Sequence, residues 1–397
     1  MKIAIVGAGI AGLASATFLA RQGHEVTVYD QFSTPRPVGS GLMLQPVGMA
    51  VLARIGLADA AEARAAPITR VVGRNPAGRA VLDLRYQDLR PDAKGLGIQR
   101  GALFLMLLSA AKEAGATLMG ETSITGISGS GARPCPVSEG NVLPAVDLLI
   151  DALGSGSPLC PKPSRPLAYG ALWGLLDWPA DGPFDPDNLA QRYQGATHMV
   201  GVLPVGTLEE GAPKKLTFFW SLRGRDLAAW RAQPLENWKQ EVSALWPDTA
   251  DLLDQISSHD DLIFAQYTHR TLPRPDRGPV VHIGDSFHAA SPQLGQGANM
   301  ALLDALALAE AVQATATPAQ ATAAFARLRL FHVRLYQTAS YLFTPVYQSD
   351  SRVLPWLRDR VAAPLSRMWP MPGLLAQLVT GELTAPVDRI LGADRLL

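Results

Sequence analysis

KIAIVGAGIAGLASATFLARQGHEVTVYD, residues 2–30, is the stretch whose reading decides the fold. An apolar run, Ile3-Ala4-Ile5-Val6, breaks into Gly7-Ala8-Gly9-Ile10-Ala11-Gly12. An Ala/Leu-rich helical pattern follows to about Arg21, Gly23 stops it, and Val26–Tyr29 reads as a second strand ending at Asp30. Strand, glycine turn, helix, strand and acid in this order form the unit that grips a dinucleotide. Gly7 permits a turn tight enough to enter the helix directly, Gly9 lets a pyrophosphate approach the backbone, and Gly12 lets helix and strand pack closely. The helix start, with Ile10 and Ala11, offers free N–H groups and the positive end of its dipole. Asp30 is placed to accept hydrogen bonds from a ribose diol, which favours FAD or NAD over NADP.

Composition narrows the class. In 397 residues, 35 basic and 35 acidic side chains cancel, so nothing points to a nucleic-acid partner. Cys135 and Cys160 make neither a disulfide framework nor a metal cluster. Their flanking prolines place them in loops as unpaired thiols, and a cytoplasmic setting follows. The first strand begins at Lys2, leaving no room for a signal peptide, and no run of ~18 apolar residues suggests a spanning helix. No metal site is expected.

Residues 34–48 read as a long Pro/Gly loop, with helical spacing over 46–65. Two strands flank the Asn75-Pro76-Ala77-Gly78 turn, and a helix covers Ala102–Ala114. Residues 126–145 read as a loop or irregular hairpin. Alternating strands fill 168–224, with one helix after them carrying Trp230, Trp238 and Trp246. The apolar strand Val280–Ile283 precedes a glycine-rich loop, a long helix from Ala298, and a second helix from about Pro318 to Ala339.

The stretch Gly284-Asp285-Ser286-Phe287-His288-Ala289-Ala290-Ser291-Pro292-Gln293-Leu294-Gly295-Gln296-Gly297-Ala298-Asn299 resembles the GD motif of the group A FAD-dependent aromatic monooxygenases, the para-hydroxybenzoate hydroxylase-like family. Gly284, Asp285, His288, Pro292, Gly295, Gln296, Gly297 and Asn299 match its pattern. Gln99-Arg100-Gly101 resembles the family's R-G-x-L segment, and Pro37-Val38-Gly39-Ser40-Gly41 its loop along the flavin. The resemblance covers residues 1 to about 330. It implies an α/β fold: a Rossmann-like FAD-binding domain (1–165 with 270–340), an inserted, mostly antiparallel β-sheet substrate domain (166–269 with part of 65–100), and a helical C-terminal tail (341–397). The implied FAD contacts are Gly7, Ala8, Gly9, Ile10, Ala11, Gly12, Asp30, Gly41, Arg100, Gly154, Asp285, Pro292, Gly295, Gln296, Gly297, Ala298 and Asn299.

One departure stands out. The family's second fingerprint, A-D-G-x-x-S-x-V-R, reads here Ala152-Leu153-Gly154-Ser155-Gly156-Ser157-Pro158-Leu159-Cys160. The acid and the arginine are replaced, which removes an acceptor that orders the turn and a charge that meets a nicotinamide phosphate. FAD binding is expected to survive, with reduction by the nicotinamide weakened.

The implied reaction is hydroxylation of an aromatic or similarly activated apolar substrate, with NADPH or NADH and O2, through a flavin C4a-hydroperoxide. Met199, Leu203, Phe218 and Trp220 are candidates for the pocket. His198 and Tyr193 are candidate bases or acceptors, and Pro292 is a candidate beside the ring, while His288 reads as structural. A flavin oxidase or dehydrogenase without oxygen insertion, or a flavin-holding partner without turnover, stay open. The tail is expected to pack on its own domain, with dimerisation or peripheral membrane contact as alternatives.

Overall fold

The structure is a computed structural model that describes residues 1–33, 40–129 and 131–392. The strand Lys2–Val6 lies inside a six-stranded sheet. It pairs in parallel with Glu25–Tyr29 on one side and Leu148–Asp151 on the other, and Val280–His282 extends the sheet beyond the latter. Ile3, Ile5, Val26, Val28, Leu148 and Ile150 face a core shared with helices Ile10–Arg21, Arg100–Glu113 and Gly297–Gln313. Ala4, Val6 and Leu149 face the other way, onto Ile124 and Val146. Burial on both faces explains why these strands read as continuous apolar runs. Each fully buried Ile or Leu contributes about 1.5–3 kcal/mol.

Residues 126–145, expected to be a loop or irregular hairpin, contribute to a three-stranded antiparallel sheet formed by Ile124–Ser128, Cys135–Ser138 and Asn141–Val142. These strands are short and half-exposed, so their alternation is weak, and Cys135 is a strand residue despite its flanking prolines.

The second layer is a seven-stranded sheet in the order Ile263–His269, Arg165–Asp177, Lys215–Arg223, His198–Gly206, Asn188–Gln194, Arg70–Arg74, Ala80–Arg85. All of its pairings are antiparallel except Asn188–Gln194 with Arg70–Arg74. Behind it, the expected single tryptophan helix is three, Leu227–Ala232, Leu235–Leu245 and Ala250–Asp254, interrupted near Pro234 and Pro247. In front, a small sheet of Gly41–Leu44, Gly95–Gln99 and Ala66–Ile68 connects it to the first layer. The helix Pro318–Tyr347 runs past the expected end at Ala339, so position 341 lies within it. Pro345 falls in its last turn, so the one N–H it removes costs the helix a bond only at its end.

Candidate active site

Three parallel strands deliver their carboxyl ends side by side, Val6 opposite Asp151 and Asp151 opposite His282. Ligands bind outside such ends in open α/β sheets. Gly7 turns at φ +103°, and a Cβ on Gly12 would stand 2.0 Å from the Gly7 carbonyl oxygen, so the helix Ile10–Arg21 sits directly on the turn. Above Gly9 nothing lies within 4 Å of a Cβ position, and the helix has no side-chain cap, so its first amides face open space. The Ala8 amide donates to Asp30 Oδ2 at 2.8 Å and the Phe32 amide to Oδ1 at 3.0 Å, which fixes the carboxylate beside the turn.

Facing this turn, Asp285 is exposed at the start of the short helix Asp285–His288, and its carboxylate has no hydrogen bond or ion pair among the described residues. His288 is buried and donates from Nε2 to Asp304 at 2.7 Å, the structural role expected of it. Beyond the exposed Pro292, Gly295 adopts the left-handed conformation (φ +62°), and Gly297 and Ala298 open the helix Gly297–Gln313 with no side-chain cap. Asn299 ties this turn to the strand Gly41–Leu44. Its Oδ1 accepts from the Gln45 amide at 2.8 Å, and its Nδ2 donates to the carbonyls of Met43 and Gly295, both at 3.0 Å. Gln296 turns its side chain away, donating to the Val379 carbonyl in the C-terminal helix Met371–Thr380, so only its backbone is left for the groove.

Arg100 is exposed at the start of its helix, and its amide donates to the Ser40 carbonyl at 2.9 Å, next to Gly41. Pro37, Val38 and Gly39 lie outside the described residues. The groove fits FAD: bare backbone at Gly9 and Gly297, two uncapped helix starts, a fixed carboxylate at Asp30, and Asp285 and Arg100 without side-chain partners among the described residues. The Thr217 hydroxyl, buried beside Gly41, also has no partner among the described residues.

The second fingerprint is more complete in space than in sequence. Asp151, fully buried, accepts from the Leu153 amide at 3.0 Å, the Ser157 hydroxyl at 2.7 Å and His282 Nδ1 at 2.7 Å. It thus orders the Gly154 turn from two residues before Leu153. Arg270 brings a buried guanidinium to the same place, donating to the Ser155 carbonyl at 2.9 Å and to Cys160 Sγ at 2.7 Å. The expected loss of an acceptor that orders the turn is corrected on geometry, since Asp151 supplies it, and Arg270 sets a buried guanidinium against the same turn. Burial, followed by the nearby Asp151 carboxylate, pushes the Cys160 thiol up to about 12, which keeps it protonated at neutral pH. Asp151, Cys160 and His282 also present three potential metal-ligand atoms within 4.8 Å of one another, a grouping that sequence spacing did not reveal. Of these three ligand atoms, the Cys160 sulfur is already engaged by the Arg270 guanidinium. Asp151→Ala is expected to lower stability by about 2–4 kcal/mol in urea unfolding, because His282 and Ser157 lose a buried acceptor together.

The seven-stranded sheet turns Met199, Leu203, Phe219 and Trp173 towards Met43, which itself lies against Gly295. Phe218 and Trp220 point the opposite way, onto Trp238 and the rear helices, and so do not line the cleft. His198 is on that rear face too, beside Trp220, with Nε2 3.3 Å from Glu241, so it is not placed to act as a base in the cleft. Tyr193 does lie on the cleft side, but it is fully buried, donates to Gln191 Oε1 at 2.7 Å, and has its ring centre 5.4 Å from that of Tyr347 at a tilt of 51°. Burial raises its pKa well above the ordinary tyrosine value, which keeps the phenol protonated and unable to take up a proton. Sequence reading missed Phe219, Thr217, Asp151 and Arg270. A signal existed for the first two, since neighbouring strand residues face opposite sides, but it needs the pairing register.

A strand-end groove with bare glycines and uncapped helix starts, roofed by an antiparallel sheet, is the architecture of a flavin-dependent oxidoreductase. Residues 1–135 and 191–325 match the FAD binding domain family. The chain belongs to that family, within the para-hydroxybenzoate hydroxylase-like FAD-dependent aromatic monooxygenases. It is 25% identical over 393 residues to a probable 2-heptyl-3-hydroxy-4(1H)-quinolone synthase of Rhodococcus erythropolis, covering 96% of this chain and 94% of that one. It is 26% identical over 361 residues to the FAD-dependent urate hydroxylase of Klebsiella pneumoniae, covering 84% and 87%. The solved structure of Klebsiella pneumoniae HpxO with FAD and uric acid superposes with a TM-score of 0.78 at 20% identity, covering 96% of this chain and 97% of that one. FAD is the cofactor and oxygen insertion is the chemistry of the class.

Proposed function

We propose that this monooxygenase hydroxylates an electron-rich, nitrogen-containing aromatic ring, using NADH or NADPH and O2. The relatives named for a quinolone and for urate support that class of ring. The observation that carries the reading is the meeting of Gly9, the Gly154 turn, Asp285 and Gly297 at one groove, under a sheet face whose cleft residues are uncharged. When bound, FAD supplies hydride acceptance and oxygen activation. The chain supplies the rest. The amides at the start of Ile10–Arg21 hold phosphate, Arg100 offsets its charge, and the bare backbone at Gly295 and Gly297 offers donors to the ring system. Met199, Leu203, Trp173 and Phe219 exclude water, and the unpartnered Thr217 hydroxyl can orient a polar ring atom. With His198 on the far face and Tyr193 locked to Gln191, activation rests on the substrate's own amino, hydroxyl or ring nitrogen.

On this reading residues 1–165 with 270–340 hold the cofactor, and 166–269 with part of 65–100 cover the substrate. Both cysteines are free, which agrees with a cytoplasmic setting. No helix among the described residues is long and apolar enough to cross a membrane. For the tail we propose contact with a surface outside its own fold, either lipid or a second copy.

Consumption of NADPH and O2, measured with and without quinolone- and purine-type rings, tests the activity. Ring-stimulated uptake with an oxygenated product is the expected result. Flavin reduction by the ring alone would make the chain an oxidase or dehydrogenase, and no reduction by any donor would make it a flavin holder. His198→Ala is expected to leave turnover within about twofold, as a half-exposed residue off the cleft. Phe219→Ala is expected to raise KM by about tenfold or more, since burying an aromatic ring against a ligand is worth roughly 1.5–3 kcal/mol.

A further inference from the structure

The chain between Val353 and Leu365 is helical without a break, as Val353–Leu357, Arg358–Ala362 and Ala363–Leu365. Its polarity is inverted. Val353, Trp356, Leu357, Val361 and Leu365 recur at the three- and four-residue spacing of one helix face, and all are exposed. The inward side carries Pro355, Arg358 and Ala363. Arg358 is only 2% exposed, with its guanidinium 5.1 Å from the ring centre of Tyr193 and 5.3 Å from that of Tyr347, and Nε donating to Asp359 at 2.8 Å. The helix is therefore anchored by a charge and shows its apolar face to water. Trp369, just beyond, is 92% exposed. An apolar face of this kind left open marks a docking surface.

Charge selects the occupant. Arg352, Arg360 and Arg367 are exposed on this segment, and Arg360 shares the spacing of the apolar face. Asp359 is the one acid between residues 351 and 381, and it is already held by Arg358 and by Asn75 Nδ2 at 3.1 Å. A two-fold contact between copies would bring these arginines together with no carboxylate to pair them. An anionic lipid surface meets both features, with apolar side chains entering the headgroup boundary and arginines facing phosphates. Resting on the surface role proposed above for the tail, we infer that Val353–Trp369 docks the enzyme onto anionic lipid, lying on the membrane rather than crossing it.

The FAD-loaded full chain is tested by co-sedimentation with vesicles of phosphatidylcholine alone and of phosphatidylcholine mixed with phosphatidylglycerol. Binding to the mixed vesicles, weakened by salt, is expected. The double substitution Trp356→Ser with Leu357→Ser should abolish it while flavin absorbance and melting temperature stay at wild-type values. Arg352→Glu with Arg360→Glu, which leaves the apolar face intact, should weaken it by about tenfold or more. Equal binding to both vesicles overturns the charge argument and with it the inference. A dimer seen by light scattering and broken by the same apolar substitutions, without vesicle binding, overturns the inference but leaves the surface role standing. A monomer that binds neither vesicle overturns both.

Discussion

Gly9→Ala will fold normally and fail to retain FAD, whereas Gly12→Ala will lose both fold stability and flavin. The two glycines lie three residues apart, but a methyl group meets different things at each. At Gly12 it would stand 2.0 Å from the Gly7 carbonyl oxygen, which is backbone and cannot swing aside. Helix and strand must then separate, at a cost of about 1–3 kcal/mol or more. At Gly9 nothing lies within 4 Å, so the folded chain accepts the methyl without strain. On the proposed placement of FAD, that open space is where its pyrophosphate would approach. Losing two charge-assisted hydrogen bonds, each worth about 1.5–3 kcal/mol, weakens FAD by roughly 100-fold or more. Flavin absorbance after gel filtration and urea unfolding of the flavin-free protein separate the two effects. Equal loss of stability in both variants would count against the placement of the cofactor.

Acidification will destabilise the protein beginning near pH 6.5, well before carboxylates protonate. The cause is a buried cluster. Asp304, fully buried, accepts from the Gly284 amide at 2.8 Å, from His288 and from Arg329 Nε at 2.7 Å. Arg329 in turn donates to His332 Nδ1 at 2.9 Å. Burial first, and then the neighbouring guanidinium, lower the His332 pKa to about 2. The unfolded chain, with a His near 6.5, therefore binds a proton that the folded chain refuses. Stability is lost as pH falls below 6.5, by about 2 kcal/mol at pH 5.

Asp304 acts lower down. Burial opposes its charge, but His288 and Arg329 outweigh that and hold it at about 2, so its stabilising contribution is complete above its unfolded value and is lost between about pH 4 and pH 2. His332→Gln keeps an acceptor for Arg329 and should flatten the melting-temperature profile between pH 6.5 and 4. Asp304→Ala leaves Arg329 buried without its carboxylate and should cost about 3–5 kcal/mol at neutral pH. A profile for His332→Gln that overlays the wild type would show that the histidine is not the acid-sensitive group.

The parts of the site legible in the sequence were those with strict local geometry. Gly7 to Asp30 and Gly284 to Asn299 each specify a turn, a helix entry and an acid within a few residues, and chain neighbours keep that relation when folded. What could not be read depends on pairing. Phe218 and Phe219 differ by one position, and only the register of Lys215–Arg223 against its neighbours decides which one faces Met43. Arg270 brings a guanidinium to Cys160 from 110 residues further along the chain. The inverted helix after Val353 looked like ordinary packing because periodicity shows that a face exists, not which way it points.

Arg270 also sets an order of events in synthesis. It follows immediately after the last strand of the large sheet, Ile263–His269, and it closes the turn at Ser155 that was made more than a hundred residues earlier. A nascent chain halted before Arg270 has the Gly9 turn and Asp30 but neither the guanidinium at Ser155 nor the Gly295 turn. On the proposed placement of FAD, capture waits until the ribosome has passed the whole sheet, so a stalled or truncated product should emerge colourless and draw no FAD from the cell's pool.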